Sequence, residues 1–152
     1  MRPQDDFLAG HYSRAHTIAF DGGVSVPGSA SPSVVRAPWS EAAAADPEEL
    51  LVASLSACHM LWFLDFAKHA GIVVRGYRDA ASARMGKMPT TGRIGLVECI
   101  LHPEVACDAS AETLATLHHQ AHAACNIANS VLTDVRVEPV TAPQDELELQ
   151  GA

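Results

Sequence analysis

Asp46-Pro47-Glu48-Glu49-Leu50-Leu51-Val52-Ala53-Ser54-Leu55-Ser56-Ala57-Cys58-His59-Met60 is the stretch whose reading decides the fold. Asp46 suits an N-cap, and Pro47 suits the first helical position, where its missing N–H leaves no bond unmade. Glu48 and Glu49 face the positive end of the helix dipole, and Glu49 follows Asp46 at capping-box spacing. Lys68, His69 and then Gly71 mark the other end, which predicts a helix to Ala70 of about 24 residues, or roughly 36 Å. Leucine, methionine, Trp62, Phe63 and Phe66 spread round its whole circumference. Such a helix has to be wrapped by sheet and by other helices, another subunit's included. Cys58 sits in its middle, either as a packed hydrophobe or as a working thiol.

The flanking segments read mostly as sheet. Residues 11–20 partly alternate, Asp21-Gly22-Gly23 is a turn signal, and Val24-Ser25-Val26 follows, which together predict a hairpin. Pro27 to Pro32 reads as a loop, Ser33 to Ala37 as a short strand, and Pro38 to Ala45 as the connection to the helix. After it, Ile72 to Met85 reads as one strand, Gly86-Lys87-Met88-Pro89 as a loop and Gly92 to His102 as the returning strand, with Pro103 ending the pairing. A second helix is expected from Ser110 through Cys125 to about Ser130, and Thr133 to Val140 alternates as a closing strand. Runs of strands interrupted by two helices favour an α+β fold, with an antiparallel sheet packed around the helices.

The chain of 152 residues is long enough for a single domain with its own core, expected over about residues 10–140, with 141–152 a loose acidic tail. The net charge of −8 without a basic run argues against nucleic acid as a partner. No uninterrupted apolar run reaches the roughly 18 to 20 residues of a membrane span, because Ser54, Ser56, His59 and Asp65 punctuate the best candidate. The N-terminal residues lack a secretory pattern, so a soluble, cytoplasmic protein without a membrane partner is expected. The four cysteines, Cys58, Cys99, Cys107 and Cys125, form no C-x-x-C and start as thiols in a reducing compartment.

Cys58 and Cys125 fall one on each helix, and thiols on packed helices form a reversible disulfide when their Cα atoms come within about 7 Å. The ordinary alternative is two buried cysteines acting as small hydrophobes. Cys58 lies beyond the first turn, where the dipole lowers a thiol pKa, and burial raises that pKa, so a reactive Cys58 needs a nearby cation. Arg14, Arg36, His59 and His122 are the candidates, and an arginine is preferred because it stays charged and binds oxygens. Glu48 is a carboxylate suited to orienting a guanidinium, but ten residues of helix separate it from Cys58 by about 15 Å. If both act, one subunit lends Glu48 to the other's Cys58. On the second helix His118, His122 and Cys125 share a face, which with Cys58 and His59 suggests a zinc site or, more simply, histidines along a polar edge. Cys99 reads as a packed core thiol and Cys107 as a loop bystander.

Asp46-Pro47-Glu48-Glu49-Leu50 followed by Ser56-Ala57-Cys58 resembles the N-P-E-x-L and S-A-C or A-A-C pattern of the OsmC/Ohr family, the osmotically induced and organic hydroperoxide resistance proteins. Cys125 ahead of Asn126-Ile127-Ala128-Asn129-Ser130 and a closing strand is similar to the family's second signature, and the likeness spans about residues 10 to 140. The resemblance implies an OsmC-like fold in an intertwined homodimer, and a peroxidase that reduces organic hydroperoxides to alcohols. Cys58 would be the peroxidatic thiolate, Cys125 the resolving thiol and Glu48 the matching carboxylate. Arg36 resembles the OsmC placement of the arginine, and Arg14 lies nearer that of the hydroperoxide resistance branch. The implied reductant is an external dithiol of lipoyl type, with no metal and no bound cofactor. Two rivals keep the same residues: a small-molecule carrier without turnover, and a metal-binding protein using the cysteines and histidines.

Overall fold

The residues that mark a helix start in the sequence form one in the structure, a computed structural model that describes residues 6–140. Helix α1 runs over Pro47–His69, 23 residues. Glu49 N–H donates to Asp46 Oδ1 at 2.8 Å, and Asp46 N–H donates to Glu49 Oε2 at 3.0 Å, so the capping box is reciprocal. The helix ends before Gly71, whose φ of 72° is open to glycine without a Cβ clash. The expected tail 141–152 lies outside the described residues.

By its internal contacts the chain divides into two compact units, Met1–Leu51 and Val52–Ala152. In the first, β1 (His16–Ala19) pairs antiparallel with β2 (Ser25–Gly28), with Ile18 opposite Val26. This is the predicted hairpin, turned by Asp21-Gly22-Gly23. Ala45 N–H donates to Pro27 O and Ser29 N–H to Ala45 O, so the approach to α1 is pinned alongside β2. The strand expected over Ser33 to Ala37 is instead a turn. The N–H groups of Val34 and Val35 both donate back to Ser31 O, and donors folded inward in this way are lost to any ladder.

In the second unit β3 (Val74–Asp79) pairs antiparallel with β6 (Pro103–Cys107). A three-stranded sheet orders β4 (Ser82–Lys87), β5 (Ile94–Leu101) and β7 (Asp134–Val137), with β4 antiparallel and β7 parallel to β5. Two expectations are corrected here. Residues 72–85 are two strands, not one, broken at Ala80-Ala81, and Pro103 opens a strand instead of ending the pairing. The two breaks face each other, and Asp79 Oδ1 accepts the His102 N–H at 2.7 Å between them. Pro103 is tolerated as the first residue of its strand, where a missing N–H matters least. Gly86 and Lys87, expected in a loop, belong to β4.

Helix α2 spans Ala111–Ala124, with Ser110 Oγ accepting the Thr113 N–H at its N-cap. It stops short of the expected Ser130. Cys125 leaves the helical conformation, Asn129 Nδ2 donates to Ala123 O at 3.0 Å, and a 3-10 turn follows over Ala128–Ser130. Phe63 and Ala67 of α1 pack with Leu117 and Ala121 of α2 into a fully buried cluster, flanked by Trp62, Tyr77 and Val105. The buried stripe of α1 is Leu55, His59, Phe63 and Ala67, one residue per turn. Other faces are less covered, and Leu61 is 62% exposed. By length and composition alone, α1 is long and apolar enough to cross a membrane.

Candidate active site

Cys58 is half-buried in the middle of α1, and Cys125 is 1% exposed at the C-cap of α2. The two thiols lie close enough for Cys58 to raise the Cys125 pKa, and no disulfide joins any of the four cysteines. Cys125 Sγ accepts the Ala128 N–H at 3.4 Å and a backbone N–H from Ile127, donors presented by the tightened chain after α2. Burial pushes the Cys125 thiol up, the backbone N–H groups pull it back, and the nearby Cys58 adds to the rise. Cys125 is therefore a protonated thiol at neutral pH. Only Cys58 of the pair is open to a molecule arriving from solvent.

Around the pair, the second unit holds a polar network that the sequence reading did not find. Ser56 Oγ donates to Asp79 Oδ2 at 2.6 Å, so one carboxylate ties α1 to β3 while its other oxygen holds His102. His59 Nε2 and His118 Nδ1 lie 3.1 Å apart, with the two rings stacked at 8°. Phe63 stacks on His118 at 4.4 Å. His59 is held down to about 4 by burial and then by His122, with Asp79 opposing, and His118 to about 4 by burial and then by His59. Both are neutral imidazoles at neutral pH, so His59 supplies no cation to its neighbour Cys58. The histidines do not line a polar edge either, because His59 is 1% and His118 4% exposed. Their positions among the buried residues, 55-59-63-67 on α1 and 117-118-121 on α2, were the available signal.

The remaining predicted residues lie in the Met1–Leu51 unit. Arg14 Nη1 donates to the carbonyls of Gly10 (2.7 Å) and Tyr12, and the guanidinium carbon sits 3.6 Å from the Tyr12 ring centroid. Its charge is oriented by carbonyls and a ring, none of which neutralises it. Arg36 is exposed within the 31–36 turn region, and Glu48 is half-buried in the first turn of α1. Cys99 is a fully buried thiol on β5, pushed up by burial and then by Asp79, as its core assignment requires. Cys107, expected in a loop, ends β6. Among the described residues no group of three histidine, cysteine, aspartate or glutamate side chains is arranged to hold a metal ion. His59 and His118 turn their nitrogens to each other.

Residues 40–140 match the sequence profile of the OsmC-like protein family. A solved OsmC-like protein of unknown function from Vibrio cholerae O1 is 41% identical, with 91% of this chain and 92% of that one aligned at a TM-score of 0.85. The organic hydroperoxide resistance protein OhrB of Bacillus subtilis aligns over 84% of this chain and 92% of its own, at 22% identity and a TM-score of 0.67. An organic hydroperoxide resistance protein from Elizabethkingia anophelis is also 22% identical, over 85% of this chain and 89% of that one, at a TM-score of 0.66. At that identity the last two speak for the fold alone. None of the curated proteins compared with the chain matches it.

Proposed function

The chain belongs to the OsmC-like protein family, and from that premise we propose that it is a thiol peroxidase for organic hydroperoxides that works through Cys58 and Cys125. The observation that carries the reading is the proximity of the two thiols, near enough for Cys58 to shift the Cys125 pKa. Cys58, the accessible partner, attacks one peroxide oxygen as the thiolate. An S–O bond forms as the O–O bond breaks, the departing alkoxide takes a proton to leave as the alcohol, and Cys58 becomes a sulfenic acid. The Cys125 thiol, already close by, then displaces the hydroxyl as water and closes a disulfide. An external dithiol of lipoyl type returns both thiols and leaves oxidised. No bound cofactor or metal takes part.

Neutral His59 leaves the activating cation to an arginine. Arg14, held on three sides with its charge intact, is the better ordered candidate, and Arg36 is the other. Glu48 would orient that guanidinium. About 15 Å of α1 separates Glu48 from Cys58, so the reading places the site in a homodimer, with Glu48 contributed by the partner chain. The exposed Leu61 on α1 gives such a partner apolar surface to cover. A cytoplasmic setting would keep the resting thiols reduced. The test is steady-state reduction of cumene hydroperoxide with a dithiol. Cys58→Ser is expected to lose turnover while keeping its circular dichroism spectrum; full activity in that variant contradicts the mechanism. Saturable peroxide binding without turnover in the wild-type protein supports a carrier instead.

A further inference from the structure

We propose that the cavity between α2, β6 and the chain after β7 is a second binding site, for a small uncharged aliphatic molecule with one oxygen acceptor, which the His118 Nε2–H recognises. The cavity has a volume of about 330 Å³ and is walled by Pro103, Val105, Leu114, Ala115, Pro139 and His118 among others. That lies at the lower end of the range of roughly 300 to 1,000 Å³ found for small-molecule sites. Neither Cys58 nor Cys125 lines it. A neighbouring cavity of about 340 Å³ shares Ala115, His118 and Pro139 and adds His119, His122 and Arg136, so His118 stands between the two.

The proton positions follow from the burial. His59 Nε2 and His118 Nδ1 are 3.1 Å apart, so one proton lies between them. His59 Nδ1 is sealed from solvent and has no partner. A bare lone pair there costs less than an unpaired N–H, because donors buried without a partner are the rarer and more costly state. His59 therefore carries its proton on Nε2 and donates it to His118 Nδ1. His118 is neutral, so its own proton is on Nε2, the nitrogen turned away from His59. The side-chain atoms both sealed and unpartnered among the described residues are His59 Nδ1, Tyr77 Oη and His122 Nδ1. His118 Nε2 is not among these sealed atoms, its hydrogen bond to His59 uses Nδ1, and His118 lines both cavities. The ring that presents this donor is 4% exposed and clamped between Phe63 and His59, so the donor is fixed in direction.

A fixed donor beside the apolar side chains of the cavity selects a ketone, ester or alcohol oxygen on a short hydrocarbon body. A carboxylate is disfavoured. No arginine or lysine is among the side chains that line it, and Arg136 of the neighbouring cavity already pairs with Glu98 at 3.2 Å and with Asp134, so an entering anion would be desolvated without a charge to meet it. The site does not depend on the thiol chemistry.

The test uses histidine-¹⁵N-labelled full-length protein and three probes of similar size: cyclohexanone, methylcyclohexane and hexanoate. In the free protein His59 and His118 are expected as Nε2–H tautomers. Cyclohexanone shifts His118 Nε2 saturably, and methylcyclohexane, which lacks the acceptor, binds about tenfold more weakly. Hexanoate also binds more weakly than cyclohexanone. Leu114→Trp, which fills the cavity and leaves His118 in place, abolishes the cyclohexanone shift, and His118→Phe removes the tenfold preference. An Nδ1–H tautomer at His118, equal affinity for cyclohexanone and methylcyclohexane, tightest binding of hexanoate, or cyclohexanone binding undiminished in Leu114→Trp overturns the proposal. The wild-type series and Leu114→Trp decide it even if His118→Phe does not fold.

Discussion

Lowering the pH from 7 to 5 should destabilise this protein through two buried side chains. His59 and His118 stand near 4 in the folded chain, against an ordinary value of 6.5 in the unfolded one. Between those values the unfolded chain binds more protons than the folded one, so stability rises with pH across the window, is fully present above 6.5, and is lost as pH falls toward 4. A single group with these two values contributes about 2 kcal/mol less at pH 5 than at pH 7, and the pair up to about 4 kcal/mol. Against a typical domain stability of roughly 5 to 15 kcal/mol this is a large fraction. The structural cause is specific: a proton added to His59 sits on the sealed Nδ1 without an acceptor, and one added to His118 Nδ1 sets two N–H donors against each other across 3.1 Å, beside Phe63 and away from water. Urea unfolding at pH 7, 6 and 5 under reducing conditions measures the change. His118→Gln keeps an acceptor for the His59 proton but cannot titrate, and it should halve the pH dependence. A wild-type stability that stays level within about 0.5 kcal/mol from pH 7 to 5, or an undiminished dependence in His118→Gln, refutes the reasoning.

Asp79→Ala leaves the His102 N–H and the Ser56 hydroxyl without their acceptor and should cost about 2 to 4 kcal/mol in urea unfolding. Asp79→Asn should cost only about 1 kcal/mol, because the amide oxygen can keep His102 while its NH₂ donates to a rotated Ser56 hydroxyl. If Arg14 activates Cys58, Arg14→Met lowers kcat/KM for cumene hydroperoxide by about one to two orders of magnitude and Arg36→Met changes it little, the loss of a charge-assisted contact to a developing anion. The reverse pattern assigns the role to Arg36.

What the sequence made legible was local. The cap at Asp46, the first-turn acids and Gly71 specify α1 through backbone groups a few residues apart, and the β1–β2 hairpin follows from its turn residues in the same way. The OsmC-like family was also readable, from Asp46-Pro47-Glu48 and the two cysteines at their separation, and the α+β class from the order of strands and helices. The misread boundaries depend on partners far away in the chain. Nothing in residues 72–85 announces the break at Ala80-Ala81, because it is held by Asp79 reaching His102, 23 residues on. The end of α2 at Ala124 rests on Asn129 turning back to Ala123, and the 33–37 turn on two donors sharing Ser31. The sequence favours histidines at a polar edge because no linear zinc signature is present. In the fold, each supplies the other's hydrogen bond, and that makes both compatible with the core.

The central claim is that Cys58 and Cys125 act as one redox pair, and anaerobic addition of one equivalent of cumene hydroperoxide to the reduced protein tests it most directly. Thiol counting and mass-mapped peptides are expected to show two thiols lost per chain, one equivalent of cumyl alcohol formed, and a Cys58–Cys125 bridge with Cys99 and Cys107 still reduced. Unchanged thiols, or a bridge through Cys99 or Cys107 in place of Cys125, would contradict it.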